Sequence, residues 1–392
     1  MANENKKYIP TLRFPEFQND GEWSMLELGK FAKIVMGQSP SSEAYNERGE
    51  GVPLLQGNAD IKDRHQVVRV YTTDITKTCD INDIIMTVRA PVGTISRASF
   101  KSCIGRGVCA IKTDSEYLYQ YLISIEQEWD KLASGSTFVS ITSNQIFDRI
   151  IFVPLTIQEQ KKIADCLSSL DKYIEATKRK LELLKEHKKG LMQRLFPAKG
   201  KTTPELRFPE FKNDGEWVEK KVRNIFDQIT RGCVLPVSET RQSPDDTYKY
   251  PVYSSQTANN GLMGYYNKFL YKNAITWTTD GANAGTVMLR RGEFFCTNVC
   301  GVLISHRGYA NGCISEIIAT HAKEHVSYVG NPKLMNNVMG EIEICIPPTI
   351  DEQIKIAECL YKVDQIISSH EKKIKSLELH KRGLIQQLFP KL

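Results

Sequence analysis

Two stretches of the chain carry the same hydrophobic stripe. In residues 157–196 the apolar positions are Ile163, Leu167, Leu170, Ile174, Leu181, Leu184, Leu191 and Leu195. The steps alternate four and three, with polar lapses at Thr177 and Lys188. The second stretch repeats this at Ile356, Leu360, Val363, Ile367, Ile374, Leu377, Leu384 and Leu388, with lapses at His370 and Lys381. This 3.5-residue period is the seam of a coiled coil. Neither stretch is broken by Pro or Gly before Gly190 and Gly383, so each is predicted as one helix. A helix of about 39 residues spans roughly 58 Å. An isolated helix with such a stripe is marginal in water. The pattern therefore favours the two copies packing on each other as an antiparallel spacer; the other solution is each helix packing on its own domain.

The repetition extends beyond the helices. Leu12-Arg13-Phe14-Pro15-Glu16-Phe17 returns as Leu206-Arg207-Phe208-Pro209-Glu210-Phe211, and the following Asn-Asp-Gly-Glu-Trp ends at Trp23 and again at Trp217. The exit Gly-Leu-[Met/Ile]-Gln-x-Leu-Phe-Pro ends at Pro197 and Pro390. Between these echoes, roughly residues 24–150 and 218–343, the two copies hardly match. Four segments follow: a first module, 1–155; a first long helix, 156–198; a second module, 199–348; and a second long helix, 349–392.

Both inserts have the pattern of mixed α/β modules. In the first, LELGKFAKIVMG (residues 26–37) has a helical pattern. Short β-rich runs follow at Gln66–Tyr71, Ile84–Arg89, Gly93–Ser96 and Val108–Lys112, and a helix is expected from about Glu116 to Leu132. The second shows Tyr250–Tyr253, Ala274–Thr278, Thr286–Leu289 and Val299–Ile304. Gly93-Thr94-Ile95 aligns with Gly285-Thr286-Val287, and Val108-Cys109-Ala110-Ile111 with Val299-Cys300-Gly301-Val302. One fold with different loops is expected. Each insert ends in a short apolar strand and a proline, at Pro154 and Pro347.

Composition changes the picture little, but charge distribution does. Hydrophobic content of 41% and charged content of 25% are ordinary for globular protein. The polar start MANENKKYIP gives no expectation of a secretory signal, and the lack of a long apolar run gives none of a membrane span. The ten cysteines have no framework spacing, and free thiols in a cytoplasmic protein are expected. Net charge is +6 overall, but it is −3 over 20–155, +5 over 156–200, 0 over 213–348 and +2 over 349–392. The basic excess sits on the long helices. Any nucleic-acid contact by the inserts would need a partner to supply part of the phosphate grip.

No catalytic site emerges. Asn331-Pro332-Lys333-Leu334 lacks the second proline and aromatic of an adenine methyltransferase motif and reads as a helix start. Gly200-Lys201-Thr202-Thr203 lacks the first glycine of a phosphate loop. Pro244-Asp245 has no partner carboxylates at nuclease spacing and reads as a turn. The spacing of Cys296, Cys300, His306 and Cys313 fits no common zinc site, so core thiols are expected and no metal. His187 and His380, equivalent on the two helices, read as solvated.

Together these motifs resemble the specificity subunit of type I restriction–modification systems. The resemblance rests on the doubled LRFPEF…GEW opening and on helix starts at Pro154…Gln158-Glu159-Gln160…Ile163-Ala164…Leu167 and Pro347…Glu352-Gln353…Ile356-Ala357…Leu360. It rests also on the doubled exit, on Val88-Arg89-Ala90-Pro91-Val92-Gly93-Thr94-Ile95, and on Ser134-Gly135-Ser136-Thr137. The second insert departs from the last two, with Thr279-Asp280-Gly281-Ala282-Asn283-Ala284-Gly285-Thr286 and no Gly-Ser-Thr. The resemblance implies α/β target recognition domains in two copies, joined by two long antiparallel coiled-coil helices. It implies a non-catalytic subunit that reads a split, asymmetric double-stranded DNA target. Two modification (methyltransferase) subunits carrying S-adenosylmethionine, and restriction subunits, would be partners; this chain would hold no cofactor. A coiled-coil scaffold without DNA readout, a specificity chain of another bipartite restriction type, and a self-sufficient methyltransferase are the competing readings.

Base discrimination calls for Arg, Asn and Gln on loops between strands. The first insert offers Gln56, Asn58, Arg89, Arg97, Ser136 and Thr137, and the second Ser255, Gln256, Asn259, Asn260, Asp280 and Asn283. Lys101, Arg106, Arg231, Lys249, Arg290 and Arg291 are candidates for phosphate contact.

Overall fold

The two long helices begin and end with the same local chemistry. They run Ile157–Leu195 and Ile350–Leu388 in the computed structural model, which describes residues 8–132, 140–256 and 258–390. Thr156 and Thr349 precede them, and their Oγ1 atoms accept from the amides of Glu159 and Glu352 at 3.3 Å. A hydroxyl acceptor at this position satisfies an amide that the first turn leaves unbonded. Gln160 and Gln353 then donate back to the carbonyls of Pro154 and Pro347, at 3.0 and 3.1 Å.

Glu159 and Glu352 are each 0% exposed, and each anchors the doubled opening segment. Arg13 donates to both carboxylate oxygens of Glu159 at 2.7 Å, and Trp23 Nε1 donates to Oε1 at 3.3 Å. Arg207 and Trp217 repeat all three bonds on Glu352 at the same lengths. A forked Arg–carboxylate pair satisfies two donors and two acceptors at once, so a buried charge pair is tolerated here.

The chain divides into two compact units, residues 1–178 with 372–392, and residues 179–371. The division cuts both long helices. The first unit holds residues 157–178 of the first helix and the far end of the second; the second unit holds 350–371 and the far end of the first. In the first unit Ile163, Ala164 and Leu167 share a core with Leu384, Leu388 and Phe389. In the second, Ile356, Ala357 and Leu360 share one with Leu191 and Leu195. Both expected solutions therefore apply: each helix start packs on its own module and on the end of the other helix. Every expected seam residue is buried or half-buried.

Two of the polar lapses prove to be seam ion pairs. Lys381 Nζ lies 2.5 and 2.6 Å from the Asp171 carboxylate in the first unit. Lys188 Nζ lies 2.8 Å from Asp364 and 3.0 Å from Glu316 in the second. Lys178 pairs with Glu378 at 2.6 Å, and Lys185 with Glu371 at 3.6 Å. Within each unit, residue numbers rise on one segment as they fall on the other, so the segments are antiparallel. Polar residues at seam positions fix register at a cost in stability. Thr177 instead returns its hydroxyl to the carbonyl of Tyr173 at 2.7 Å, and His370 its ring to that of Ile366.

The main sheets of the two modules share the order of their first four strands and differ at the outer pair, where the later strand of the hairpin lies inside in the first module and the earlier one in the second. The first has a six-stranded sheet ordered Lys33–Met36, Val108–Lys112, Ile84–Thr87, Ile95–Arg97, His65–Gln66 and Ile61–Lys62. The second is ordered Gln228–Arg231, Cys300–Ile304, Tyr271–Thr278, Val287–Cys296, Tyr250–Tyr253 and Leu262–Tyr266. The first module also carries a five-stranded sheet, in which Val52–Leu55 runs parallel to Ser102–Ile104. Small two-stranded sheets, Ser24–Glu27 with Ile150–Val153 and Val218–Lys221 with Glu343–Ile346, tie each module's beginning to its end.

Some local expectations change. The helical pattern of residues 26–37 yields only Leu28–Phe31; Lys33–Met36 is a strand because it pairs with Val108–Lys112. The expected helix 116–132 is two, Glu116–Ser124 and Glu126–Leu132, broken at Ile125. Asn331-Pro332 does not start a helix. That helix spans Asn336–Glu341, and the Pro332 carbonyl accepts from Gly281 instead. Asp245 does form the expected turn, its Oδ1 accepting from the amides of Thr247 and Tyr248. Cys296 and Cys300 sit in one apolar cluster and Cys313 in another, so the four-residue group around His306 does not assemble. Burial pushes the Cys300 thiol up to about 11. No helix of the described residues is long and apolar enough to cross a membrane.

Two outcomes are expected. Glu159→Gln leaves Arg13 buried without a counter-charge and should cost about 3–5 kcal/mol in thermal or urea unfolding; a loss below about 1 kcal/mol would show that the pair does not hold the helix start. Removing residues 384–392 strips Leu384, Leu388 and Phe389 from the first core. Limited proteolysis should then cut within residues 8–178 while fragments from 179–371 persist.

Candidate nucleic-acid interface

Four loops meet at one rim of each module, on the same backbone frame. In the first, Gly37 donates to the Val108 carbonyl, Gln38 to Ile104, Gly105 to Leu55, and Val88 to Gly107, at 2.7–3.0 Å. In the second, Gly232 donates to Cys300, Cys233 to Cys296, Thr297 to Tyr253, and Thr279 to Val299, at 2.9–3.0 Å. Gly37 and Gly232 are required by close approach: a Cβ there would stand 2.1 Å from the carbonyl oxygen of Gly105 or Cys296. The frame equates Gly105 with Thr297 and Arg89 with Asp280, although the side chains differ.

In the first module this rim forms a cleft of about 480 Å³ lined by Ser39, Pro40, Ser42, Tyr45, Gln56, Arg89, Arg106 and Gly107. Gln56, Arg89 and Arg106 were expected in a DNA-facing role, and the fold brings them together. All three are exposed. Among the described residues, Arg89 and Arg106 form no ion pair, whereas Arg13, Arg64, Arg97 and Arg149 all do. A concave surface with two uncompensated guanidinium groups and an amide suits a polyanion with acceptor-rich base edges. Sequence reasoning missed Ser39, Ser42 and Tyr45. Gly37, whose equivalent is Gly232, was the available signal, because it forces the chain after the first strand against the neighbouring loop.

The other first-module candidates divide. Asn58 is exposed beside Gln56, on a turn that Asp60 holds by accepting from the amides of Gln56 and Gly57 at 2.7 and 3.2 Å. Lys101 is exposed, 3.9 Å from Asp80. Arg97 is a correction. It pairs with Glu116, donates to the Asn82 carbonyl at 2.9 Å and stacks over Tyr119 at 4.3 Å, so it braces the sheet to the following helix. Ser136 and Thr137 lie outside the described residues.

In the second module Ser255, Gln256, Asn259, Asn260, Asp280 and Asn283 do come together. Asn283 Nδ2 donates to the Ser255 carbonyl at 3.1 Å, and Gln256 Nε2 donates to the Leu262 carbonyl. Asn259 and Asn260, at φ 49° and 55°, occupy the left-handed region that asparagine tolerates. Both are exposed.

Arg290 is the second correction. It is 7% exposed, stacks over Tyr253 at 3.7 Å, and donates from Nε to Thr276 Oγ1 at 3.0 Å and from Nη1 to the Asn260 carbonyl at 2.7 Å. Burial lowers its guanidinium from the ordinary arginine value. Its donors are therefore engaged in holding the Asn259–Asn260 turn from beneath. Arg231 is half-buried against Asn336 and Met335. Arg291 lies over Tyr361 of the second long helix at 5.3 Å, and Lys249 over Tyr250 at 5.2 Å. Of the second module's basic candidates, Lys249 and Arg291 remain exposed.

A doubled α/β module, each copy fixed to a long helix start and each presenting a different polar rim, defines a class of paired recognition proteins. The family model for the type I restriction modification DNA specificity domain matches residues 20–186 and 214–379, and the chain belongs to that family. It is 39% identical over 186 residues, 45% of this chain and 43% of the relative, to a Methanocaldococcus jannaschii chain named as a type I restriction enzyme MjaX specificity subunit. It is 32% identical over 161 residues, 40% of this chain and 47% of the relative, to the type I restriction enzyme MpnII specificity subunit of Mycoplasma pneumoniae. The matched stretch thus spans less than half the length of each of these two relatives. The crystal structure of a type I restriction–modification system S subunit from M. genitalium has the same fold, with TM-score 0.70 over 98% of this chain and 100% of that one, at 18% identity.

Arg290→Lys keeps the charge but cannot bridge Thr276 and Asn260. The Ser254 amide, which donates to the Gly261 carbonyl at 2.9 Å, should then exchange its hydrogen faster, while global stability falls by only about 1–2 kcal/mol. Unchanged exchange at Ser254 would show that Arg290 does not hold this turn.

Proposed function

We propose that this chain is the DNA-reading specificity subunit of a type I restriction–modification complex and has no catalytic step of its own. Each module reads one half of a split, asymmetric DNA target through its rim loops, and the length of the long helices sets the gap. The observation that carries this reading is the pair of rims: one hydrogen-bonded frame with different side chains at equivalent positions, Arg89 against Asp280 and Gly105 against Thr297. A frame kept while its loops vary is what two different sequence readers require. Because the modules differ, the half-sites differ, unlike the palindrome read by a symmetric dimer.

The modification subunits, two per chain, bind S-adenosylmethionine and methylate one adenine in each half-site. Restriction subunits join to cut unmethylated DNA, and the complex works in the cytoplasm. The basic excess on 156–200 and the neutral or acidic inserts fit a reader whose partners supply part of the phosphate contact.

The test is co-expression with the modification subunit encoded beside it, in a host lacking adenine methylation, followed by single-molecule sequencing. The expected result is a split, asymmetric motif methylated on both strands. Exchanging residues 218–343 for those of another specificity chain should change one half only. Methylation of a continuous sequence, or none from a modification subunit shown to be active, would move a protein–protein scaffold to the front.

A further inference from the structure

The frame places Arg89 and Asp280 at the same point of the two rims. Val88 and Thr279, just before them, donate to Gly107 and Val299 at 2.9 Å, and their own carbonyls accept from Ile141 and Leu334 at 3.0 and 2.9 Å. Arg89 then bridges Ser140, and Asp280 bridges Lys333. On the other side, Thr87 and Thr278 donate to Thr94 and Thr286 at 3.1 and 2.9 Å, and Gly93 and Gly285 donate back at 2.8 and 2.9 Å. At this point of the shared frame the side chain changes from a five-donor cation to an acceptor-only anion, while the following loop is one residue longer in the second module.

Arg89 is exposed and lines the cleft with Gln56 and Arg106. The Asp280 side chain is 26% exposed. One of its oxygens accepts from Thr279 Oγ1 at 2.6 Å, and the other forms an ion pair with the half-exposed Lys333 Nζ at 3.8 Å, too long for a hydrogen bond, so acceptor lone pairs stay free. A carboxylate at a DNA-facing rim is repelled by phosphate, and the acceptor capacity that Thr279 and Lys333 leave on Asp280 suits a donor on a base edge. In the major groove cytosine N4 presents a donor without the adjacent N7 acceptor that adenine carries, while guanine presents the O6 and N7 acceptors that a guanidinium spans.

We infer that Arg89 and Asp280 are specificity-determining residues that each demand a G·C pair but read it from opposite sides: Arg89 through guanine O6 and N7, Asp280 through the cytosine N4 amino group. This rests on the proposed DNA-reading function. It adds the chemistry of one position in each half-site.

The experiment uses the complex of this chain with its modification subunit. The methylated motif is first defined for the wild type, for Arg89→Ala and for Asp280→Asn. Each variant should relax one G·C position in one half and leave the other half intact. Duplexes then carry 7-deazaguanine at the Arg89-dependent position or N4-methylcytosine at the Asp280-dependent one. Wild-type affinity should fall about 10- to 100-fold with each analogue, Arg89→Ala should be indifferent to the first, and Asp280→Asn to the second.

Arg89→Ala alters only an exposed side chain and Asp280→Asn keeps the volume, and thermal melting is used to check that each is folded. An unchanged motif in either folded variant, an A·T pair at either relaxed position, or analogue effects that persist in the matching variant would overturn the inference. Absence of any split motif with wild type would overturn the DNA-reading function itself. If Asp280→Asn does not fold, binding of the wild-type complex to duplexes with N4-methylcytosine at each G·C position of the Asp280 half decides that arm, and no loss at any position overturns it.

Discussion

The forked ion pair between an opening-segment arginine and a glutamate in the first turn of a long helix is the constraint on which the structure depends. It occurs twice, as Arg13 with Glu159 and Arg207 with Glu352, each with a tryptophan indole on the same carboxylate. The glutamates are fully buried, and in each the carboxylate charge is met by a two-pronged arginine. The pair fixes where each helix leaves its module. The small sheet joining the module's first and last strands, and the start of the seam, follow from that direction. The carboxylate also sits at the helix N-terminus, where the backbone dipole favours negative charge.

A second constraint is that each core is completed by sequence-distant residues. Leu384, Leu388 and Phe389 belong to the first core, and Leu191 and Leu195 to the second. The Lys381–Asp171 and Lys188–Asp364 pairs set the register in which these residues arrive. A slip of one turn would leave a lysine facing an apolar seam, at the cost of a desolvated and uncompensated charge. The same chemistry at both crossings explains why the lapses recur at equivalent positions.

With the scaffold so determined, the rim loops are free to differ. Their backbones are tied by a shared set of hydrogen bonds and by two glycines that allow close approach, while the side chains face solvent. Exposed side chains on a rigid frame can be exchanged at little cost in stability, and recognition proteins use this freedom. Arg290 marks the limit of reading such residues by type alone. It is basic and lies next to the loops, yet it is buried beneath them.

The periodicity and the repeats were enough to locate both long helices, the seam, the doubled modules and, to the residue, the strands Val108–Lys112 and Tyr250–Tyr253, because period and burial are local properties of a pattern. The family resemblance was legible for the same reason, since its motifs are the residues of the anchoring cluster and the helix starts. The short helix at Leu28–Phe31 and the break at Ile125 were not legible, because strand pairing and packing overrode local propensity there. Nor were the roles of Arg97 and Arg290, or the joining of Ser39, Ser42 and Tyr45 to Gln56, Arg89 and Arg106 in one cleft. Whether an arginine faces solvent, an aromatic ring or a carboxylate depends on residues far away in the chain. Only the tertiary structure brings those together.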